Sequence, residues 1–139
     1  MMPAVGSGIT FGWRIRISDD EMVDLTRSHG GRAERGWWDR IRPHSLGWVG
    51  ARLPDVSLIG FLNVAWDGAS HAFVLDPKVR PDHQRQGVGA ELVRLAVVGA
   101  TQAGCEWLHV DFEHDLSGFY LGPCGFQSTP AGLIHLWDW

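Results

Sequence analysis

One segment of the chain places two glycines at the start of a long apolar helix, and this combination is typical of a site that binds phosphate. The segment reads Gln84-Arg85-Gln86-Gly87-Val88-Gly89-Ala90 and follows a predicted strand that ends at Val79. The first N–H groups of a helix have no partner within the helix, and the helix dipole makes that end positive. Glycines let a phosphate approach these amides without meeting a side chain. The Rossmann fingerprint is not met, because Leu92 stands where its third glycine would be.

Three polar residues that alternate along a later segment could serve as acid–base groups. His109, Asp111 and Glu113 are each preceded by an apolar residue, so on a strand predicted over residues 107–112 they lie on one face. Such a face could bind an amine or take its proton, directly or through water. A half-exposed strand without a function has the same pattern. Three collinear strand residues rarely enclose a metal ion, so we expect no metal.

The elements that must position these residues follow from apolar periodicity, turn residues and caps. Strands are predicted over residues 9–17, 47–52, 58–66, 71–79, 107–112 and from 126 onward, and helices from Ser18, over 32–41, over 87–103 and over 116–121. This order predicts the α+β class with a single mixed sheet. Pro77 lies inside the fourth strand, where proline is tolerated only at a bulge or where pairing is broken.

Length and composition limit the classes of protein to which the chain can belong. Its 139 residues, of which 45% are hydrophobic, predict one domain over residues 1–139, with residues 1–8 flexible. The net charge of −4 argues against a nucleic-acid partner, and Arg94 interrupts the most apolar stretch, so no membrane partner is expected. Two cysteines and the lack of a basic residue before Arg14 predict a reduced, cytoplasmic protein. Lys78 is the only lysine, which excludes a phosphate loop that ends in Gly-Lys-Ser/Thr.

Two segments together carry a specific resemblance. The stretch from Gln84 to Gly89 is similar to the Gln/Arg-x-x-Gly-x-Gly/Ala motif of the GCN5-related N-acetyltransferase (GNAT) superfamily. Downstream, Phe119-Tyr120-Leu121-Gly122-Pro123-Cys124-Gly125-Phe126 resembles the Phe-Tyr-x-x-x-Gly-Phe segment of that family, with one additional residue. With the strand order, the resemblance covers nearly the whole chain. It implies the GNAT fold, in which a mixed, mostly antiparallel sheet flanked by helices is splayed between its fourth and fifth strands.

The resemblance implies acetyl-CoA as co-substrate. In the family the backbone amides of the glycine loop hold the pyrophosphate, and the strand before the loop, here ending at Val79, pairs with the pantetheine arm. The residues to which the pyrophosphate contact carries over are Arg85, Gln86, Gly87, Val88, Gly89 and Ala90. Tyr120, the only tyrosine, occupies the position of the general acid. A phenol is protonated at neutral pH and can supply a proton to a leaving thiolate.

The general base and the acceptor site have more than one candidate. Asp76 stands where many family members that acetylate amines carry an acidic residue. Where the family often has an asparagine, this chain reads Glu113-His114-Asp115, so His114 takes that role or Glu113 faces the acceptor. Four residues are further predicted to contact the acceptor: Trp37, Trp48, Asp111 and His114. Cys124 leaves open an acyl-enzyme route, although direct attack is the family habit.

These residues predict an N-acetyltransferase that transfers an acetyl group directly, in a ternary complex, to the amine of a small molecule or peptide. The alternative is a non-catalytic module that binds or senses acyl-CoA. Tyr120 and Asp76 favour the enzyme, whereas the missing asparagine and the longer turn after Tyr120 favour the module. The apolar run from Leu133 to Trp139 would be either the last strand of the sheet or a surface that pairs two copies in a homodimer.

Overall fold

The computed structural model describes residues 8–139 and contains five strands in one sheet. The strands are β1 (Thr10–Trp13), β2 (Ser45–Arg52), β3 (Leu58–Trp66), β4 (His71–Val79) and β5 (Trp107–His109). They follow one another across the sheet in sequence order, antiparallel except for the parallel pair β4–β5. The predicted α+β class with a mixed, mostly antiparallel sheet is therefore confirmed. Of the residues expected to be flexible, 1–7 lie outside the described part of the chain.

Within residues 8–139 four α-helices flank the sheet, and short 3₁₀ turns join several of the elements. The helices are α1 (Asp19–Ser28), α2 (Trp37–Ile41), α3 (Val88–Gln102) and α4 (Ser117–Leu121), and the 3₁₀ turns are Arg42–His44, Pro81–His83, His114–Leu116 and Leu136–Asp138. The predicted capping box starts α1: Glu21 N donates to Ser18 Oγ at 3.1 Å, and Ser18 N donates to Glu21 Oε1 at 3.0 Å. The Glu21 carboxylate also pairs with Arg52 of β2, which ties α1 to the sheet and lowers the pKa of Glu21.

The sheet buries side chains on both faces, because α3 covers one face and α1 with α2 covers the other. Neighbouring residues of β2 show the alternation: Val49 packs in the cluster with α3, and Trp48 packs in the cluster with Trp38 of α2. Leu92 of α3 and Trp38 are both 1% exposed. Both layers therefore have a close-packed apolar contact with the central strands.

Three predicted elements are wrong in extent. β1 ends at Trp13 instead of residue 17, because Arg14 has φ 59° and turns the chain out of the sheet. The helix predicted over 32–41 begins only at Trp37, after Gly36 with φ 81°. β5 ends at His109 instead of residue 112, where its pairing with β4 stops.

The extended strand predicted from residue 126 is also wrong, since within the described chain this region contains only the 3₁₀ turn Leu136–Asp138. Its apolar side chains lie in solvent: Leu133 is 85% exposed and Trp137 is 91% exposed. Pro130 has no N–H to donate to a sheet, and Gly132 beside it favours irregular backbone. The segment 133–139 is consequently an uncovered apolar surface.

Candidate active site

The irregularity that Pro77 predicts in β4 is a β-bulge. Leu75 pairs with Asn63 of β3, and Lys78 pairs with Phe61, so that three steps along β4 oppose two steps along β3. Asp76 and Pro77 are the residues of the bulge, and Asp76 has φ 55°. A non-glycine residue in this left-handed region is uncommon and is typical of strained functional positions. The bulge therefore sets an unusual backbone conformation at Asp76.

The fourth and fifth strands diverge next to this bulge. β4 pairs with β5 only through His71–Phe73, opposite Trp107–His109. Within residues 8–139, the remainder of β4 up to Val79 has no strand on that side. Its backbone groups are available to an extended ligand, in the way that a sheet edge receives an added strand.

The glycine loop lies where this opening meets α3. Arg85 and Gly87 both have positive φ, 62° and 84°, and α3 begins at Val88 with no side chain as its cap. The backbone N–H groups of residues 85–90 donate no hydrogen bond within the described part of the chain. Val88 lies against Gly60, the β3 residue that pairs with Val79, so the free amides are next to the end of β4. Free amides at the positive end of a helix form an anion site.

Tyr120 is buried next to the loop, since its neighbour Phe119 lies against Gly89. It is 4% exposed, and its ring is stacked on Phe112 with centroids 4.9 Å apart. Desolvation raises the pKa of the Tyr120 phenol, and the nearby Cys124 and Asp111 raise it further. The phenol consequently stays protonated at neutral pH. Burial also raises the pKa of the Cys124 thiol to about 11, which argues against a thiolate nucleophile there.

Asp76 faces a small pocket of about 290 Å³ between α1, α2 and β4. The pocket is lined by Met22, Val23, Thr26, Arg32, Glu34, Trp37, Asp76 and Lys78. Asp76 has an exposed surface, yet desolvation by the surrounding protein raises the pKa of its carboxyl, and the charge of Lys78 lowers it. Desolvation lowers the pKa of the Lys78 ammonium, and the negative charge of Asp76 raises it. The Lys78 Nζ atom lies 4.7 Å from the ring centroid of Trp37.

The family model for the acetyltransferase (GNAT) family matches residues 14–126 of this chain. The chain belongs to the GNAT acetyltransferase family. The matched residues include the β4 bulge, the glycine loop and Tyr120.

Individual GNAT relatives agree with this assignment. Probable N-acetyltransferase HLS1 of Arabidopsis thaliana is 33% identical over an alignment of 69 residues that covers 46% of this chain and 17% of that protein, so the chain spans only a small part of it. A GNAT-family acetyltransferase from Streptococcus pneumoniae is 24% identical, with 91% of this chain and 98% of that chain covered and a TM-score of 0.75. AAC(6')-Iy, solved with the bisubstrate analog CoA-S-monomethyl-acetylneamine, is 17% identical, with coverages of 93% and 97% and a TM-score of 0.73. The two solved structures show that the GNAT fold is shared.

The predicted acceptor residues of this GNAT protein fall in different places. Trp37 lines the Asp76 pocket. Trp48 is 7% exposed, donates from Nε1 to Ile15 O at 2.6 Å and lines a separate cleft of about 560 Å³ beside Arg14. The fold therefore brings Trp37, and not Trp48, to the pocket with Asp76.

The polar row after β5 keeps its alternation although the strand stops. Asp111 and Glu113 are exposed, while Val110 and Phe112 between them are half-buried. Asp111 is close enough to Tyr120 to contribute to its raised pKa. Glu113 precedes the 3₁₀ turn that contains His114, whose backbone oxygen accepts from Ser117 Oγ at 2.6 Å. This segment therefore lies on the Tyr120 side of the site.

Lys78 is the residue of this site that the sequence did not reveal. Its only signal was that no other lysine occurs in the chain, which gives no information about burial or position. Within residues 8–139 no three His, Cys, Asp or Glu side chains come together as a metal site. Likewise, none of the helices described is both long enough and apolar enough to cross a bilayer.

Proposed function

We propose that this GNAT protein is an N-acetyltransferase that takes its acetyl group from acetyl-CoA and passes it directly to the amine of a small molecule or peptide. The observation that carries the proposal is the opening between β4 and β5, which ends at the free amides of residues 85–90. An elongated ligand with a diphosphate near one end matches this combination of an unpaired strand edge and an anion site.

The glycine loop would hold the pyrophosphate through main-chain hydrogen bonds. The residues that offer these amides are Arg85, Gln86, Gly87, Val88, Gly89 and Ala90. Val79 ends the strand along which the pantetheine arm would lie. Its carbonyl already accepts from Gln84 Nε2 at 3.1 Å, which holds the start of the loop against the strand end.

The chemistry requires a neutral amine and a proton for the departing thiolate. The amine nitrogen attacks the thioester carbonyl, the carbon–sulfur bond breaks, and the Tyr120 phenol gives its proton to the sulfur. Asp76 is the proposed base, because a carboxylate with a raised pKa accepts a proton more readily than an ordinary one. Glu113 is the second candidate for the base, since it lies on the exposed row on the Tyr120 side.

The test is release of free thiol when the purified protein is incubated with acetyl-CoA and a panel of amines. We expect turnover that depends on Tyr120. Calorimetric binding of CoA with no turnover on any amine, in the wild type and in Tyr120→Phe alike, would instead identify the acyl-CoA-binding module.

We also propose that the exposed segment 133–139 pairs two copies of the chain in a homodimer. Leu133, Trp137 and Trp139 are 85%, 91% and 90% exposed, and burying one such side chain stabilises a contact by about 1.5–3 kcal/mol. Light scattering should give twice the mass of 15.4 kDa. A chain that ends at Gly132 should give a monomer with unchanged thermal stability, whereas an intact chain that is monomeric at 100 µM contradicts the dimer.

A further inference from the structure

We infer that the pocket beside Asp76 accepts a small amine that carries its own anionic group, a carboxylate or a phosphate. The inference rests on the proposed function, because it assigns this pocket to the acceptor. The observation behind it is that the lining of one pocket combines Asp76 with two cations, Lys78 and Arg32, and so offers charges of opposite sign to a single ligand.

The cations of the pocket have no ionic partner in the described chain. Within residues 8–139, neither Lys78 nor Arg32 has a carboxylate oxygen within 4.0 Å. Of the carboxylates in the pocket, Glu34 pairs with Arg40 at 3.5 Å, outside the pocket lining. The charges of Asp76 and Lys78 attract each other without forming a salt bridge. Asp76 therefore keeps its oxygens available for an ammonium or amine, and the two cations keep their N–H groups available for an anion.

The ammonium of Lys78 is held in place rather than free in solvent. It lies 4.7 Å from the ring centroid of Trp37 and 5.7 Å from that of Phe61. Aromatic faces attract a cation but give it no hydrogen-bond acceptor as strong as a carboxylate. An anionic group on the ligand would supply that acceptor, in surroundings where a charge pair is stronger than in bulk water.

The size of the pocket limits the ligand. A volume of about 290 Å³ lies just below the roughly 300–1,000 Å³ found for small-molecule pockets. The lining also contains the apolar side chains of Met22 and Val23, so a ligand with a short carbon chain suits the pocket beside its charged groups. The expected acceptor is thus a compact molecule with an amine and an acidic group separated by a few carbon atoms.

Matched pairs of acceptors test this inference. 4-Aminobutyrate is compared with butylamine, and phosphoethanolamine with ethanolamine, by the kcat/KM for thiol release from acetyl-CoA. We expect at least a tenfold higher kcat/KM for one anionic member over its neutral partner, and the two pairs show whether a carboxylate or a phosphate is preferred. Equal values within both pairs overturn the inference while leaving acetyl transfer intact.

Variants of Lys78 show whether the preference arises in this pocket. In Lys78→Met the kcat/KM for the anionic amine should fall at least tenfold more than that for the neutral amine, because both amines share the effect of the lost charge on Asp76 but only the anionic one loses a partner, and Lys78→Arg should restore much of the preference. Arg94→Met is the matched control, because Arg94 is an exposed cation on α3 outside the pocket. If Lys78→Met slows both amines equally, Lys78 has a structural role and the inference fails.

A binding measurement separates failure of this inference from failure of the proposed function. If no amine is turned over, calorimetry in the presence of CoA still compares the affinities of 4-aminobutyrate and butylamine. Tighter binding of the anionic member that is lost in Lys78→Met supports the inference even in a non-catalytic protein. Should Lys78→Met not fold, Arg32→Met at the exposed rim takes its place, and equal affinities in the wild type refute the inference.

Discussion

Gly89 of the glycine loop faces the ring of Phe119 so closely that a Cβ atom at residue 89 would lie 3.1 Å from Phe119 Cζ. Phe119 precedes the proposed acid Tyr120 on α4, and the two rings contact each other edge-on at 4.9 Å. The missing side chain at residue 89 therefore does two things. It leaves the amides open to a phosphate, and it lets α4 approach the start of α3. The site that would bind the cofactor and the residue that would protonate it are packed together.

The first prediction is that Gly89→Ala lowers kcat/KM about tenfold, because the new methyl group displaces Phe119 and with it Tyr120. A tenfold loss corresponds to about 1.4 kcal/mol of transition-state stabilisation. Gly118→Ala on α4 is the matched control, since its Cβ would meet no atom within 4 Å. Steady-state kinetics of both variants check the prediction, and equal rates for wild type and Gly89→Ala contradict the packing argument.

The second prediction is that Tyr120→Phe lowers kcat by about 10²–10⁴, the usual contribution of a general acid. The affinity for acetyl-CoA should not change, because the ring stays stacked on Phe112 and the glycine loop is untouched. Stopped assays of thiol release give kcat, and calorimetry gives the affinity. A variant that loses affinity for CoA but keeps kcat would remove Tyr120 from the chemical step.

The local parts of this site could be predicted from the sequence. Pro77 indicated the irregularity in β4, because proline has no N–H to donate to a strand partner, and Gly87 indicated the start of α3, because glycine readily adopts the positive φ found there. The Ser18 capping box is equally local, and it is formed as predicted.

The parts that were missed depend on contacts between distant segments. β5 ends where its pairing with β4 ends, at the pair formed by Phe73 of β4 and His109 of β5. The bulge at Asp76 follows on β4 just beyond Phe73. Trp37 and Trp48 could not be told apart by residue type, since only the packing of α2 on the sheet decides which ring meets Asp76. Lys78 was missed for the same reason.

The third prediction concerns pH. Since desolvation raises the pKa of Asp76, the folded protein holds its proton to a higher pH than an ordinary carboxyl group. A base must be unprotonated, so kcat/KM should fall as the pH drops through this raised pKa. The acceptor for this assay should be a weakly basic aromatic amine. Such an amine is already unprotonated in this pH range, so its own titration does not mask the fall of kcat/KM at low pH, which is the acid limb of the pH profile.

Asp76→Asn should abolish this acid limb and lower kcat while the affinity for CoA stays the same. Glu113→Gln is the companion variant, because Glu113 is the other candidate base. If the limb persists in Asp76→Asn and disappears in Glu113→Gln, the base is Glu113. A loss confined to CoA affinity in Asp76→Asn would place Asp76 away from the acceptor.

The fourth prediction concerns the layer that holds α2 and the Asp76 pocket on the sheet. The Trp38 ring is 1% exposed and lies edge-on to Trp48 and Phe61, each with centroids 5.0 Å apart, but its Nε1 is buried without a hydrogen-bond partner. Trp38→Ala should lower the free energy of unfolding by about 3–5 kcal/mol, the usual cost of deleting a large buried ring. Trp38→Phe loses part of the ring but also removes the unpaired N–H, whose burial costs about 1–3 kcal/mol.

The two effects of Trp38→Phe oppose each other, so this variant should lose less than half of what Trp38→Ala loses. Urea unfolding followed by circular dichroism measures both, and unchanged m-values verify that the same surface is exposed on unfolding. Trp37→Ala is the comparison at the neighbouring ring, because that ring is only partly buried and lines the pocket. It should cost less stability than Trp38→Ala and should raise the acceptor KM. Equal losses for the phenylalanine and alanine variants of Trp38 would contradict the prediction, because neither the retained ring volume nor the removal of the unpaired N–H would then offset the loss of the indole.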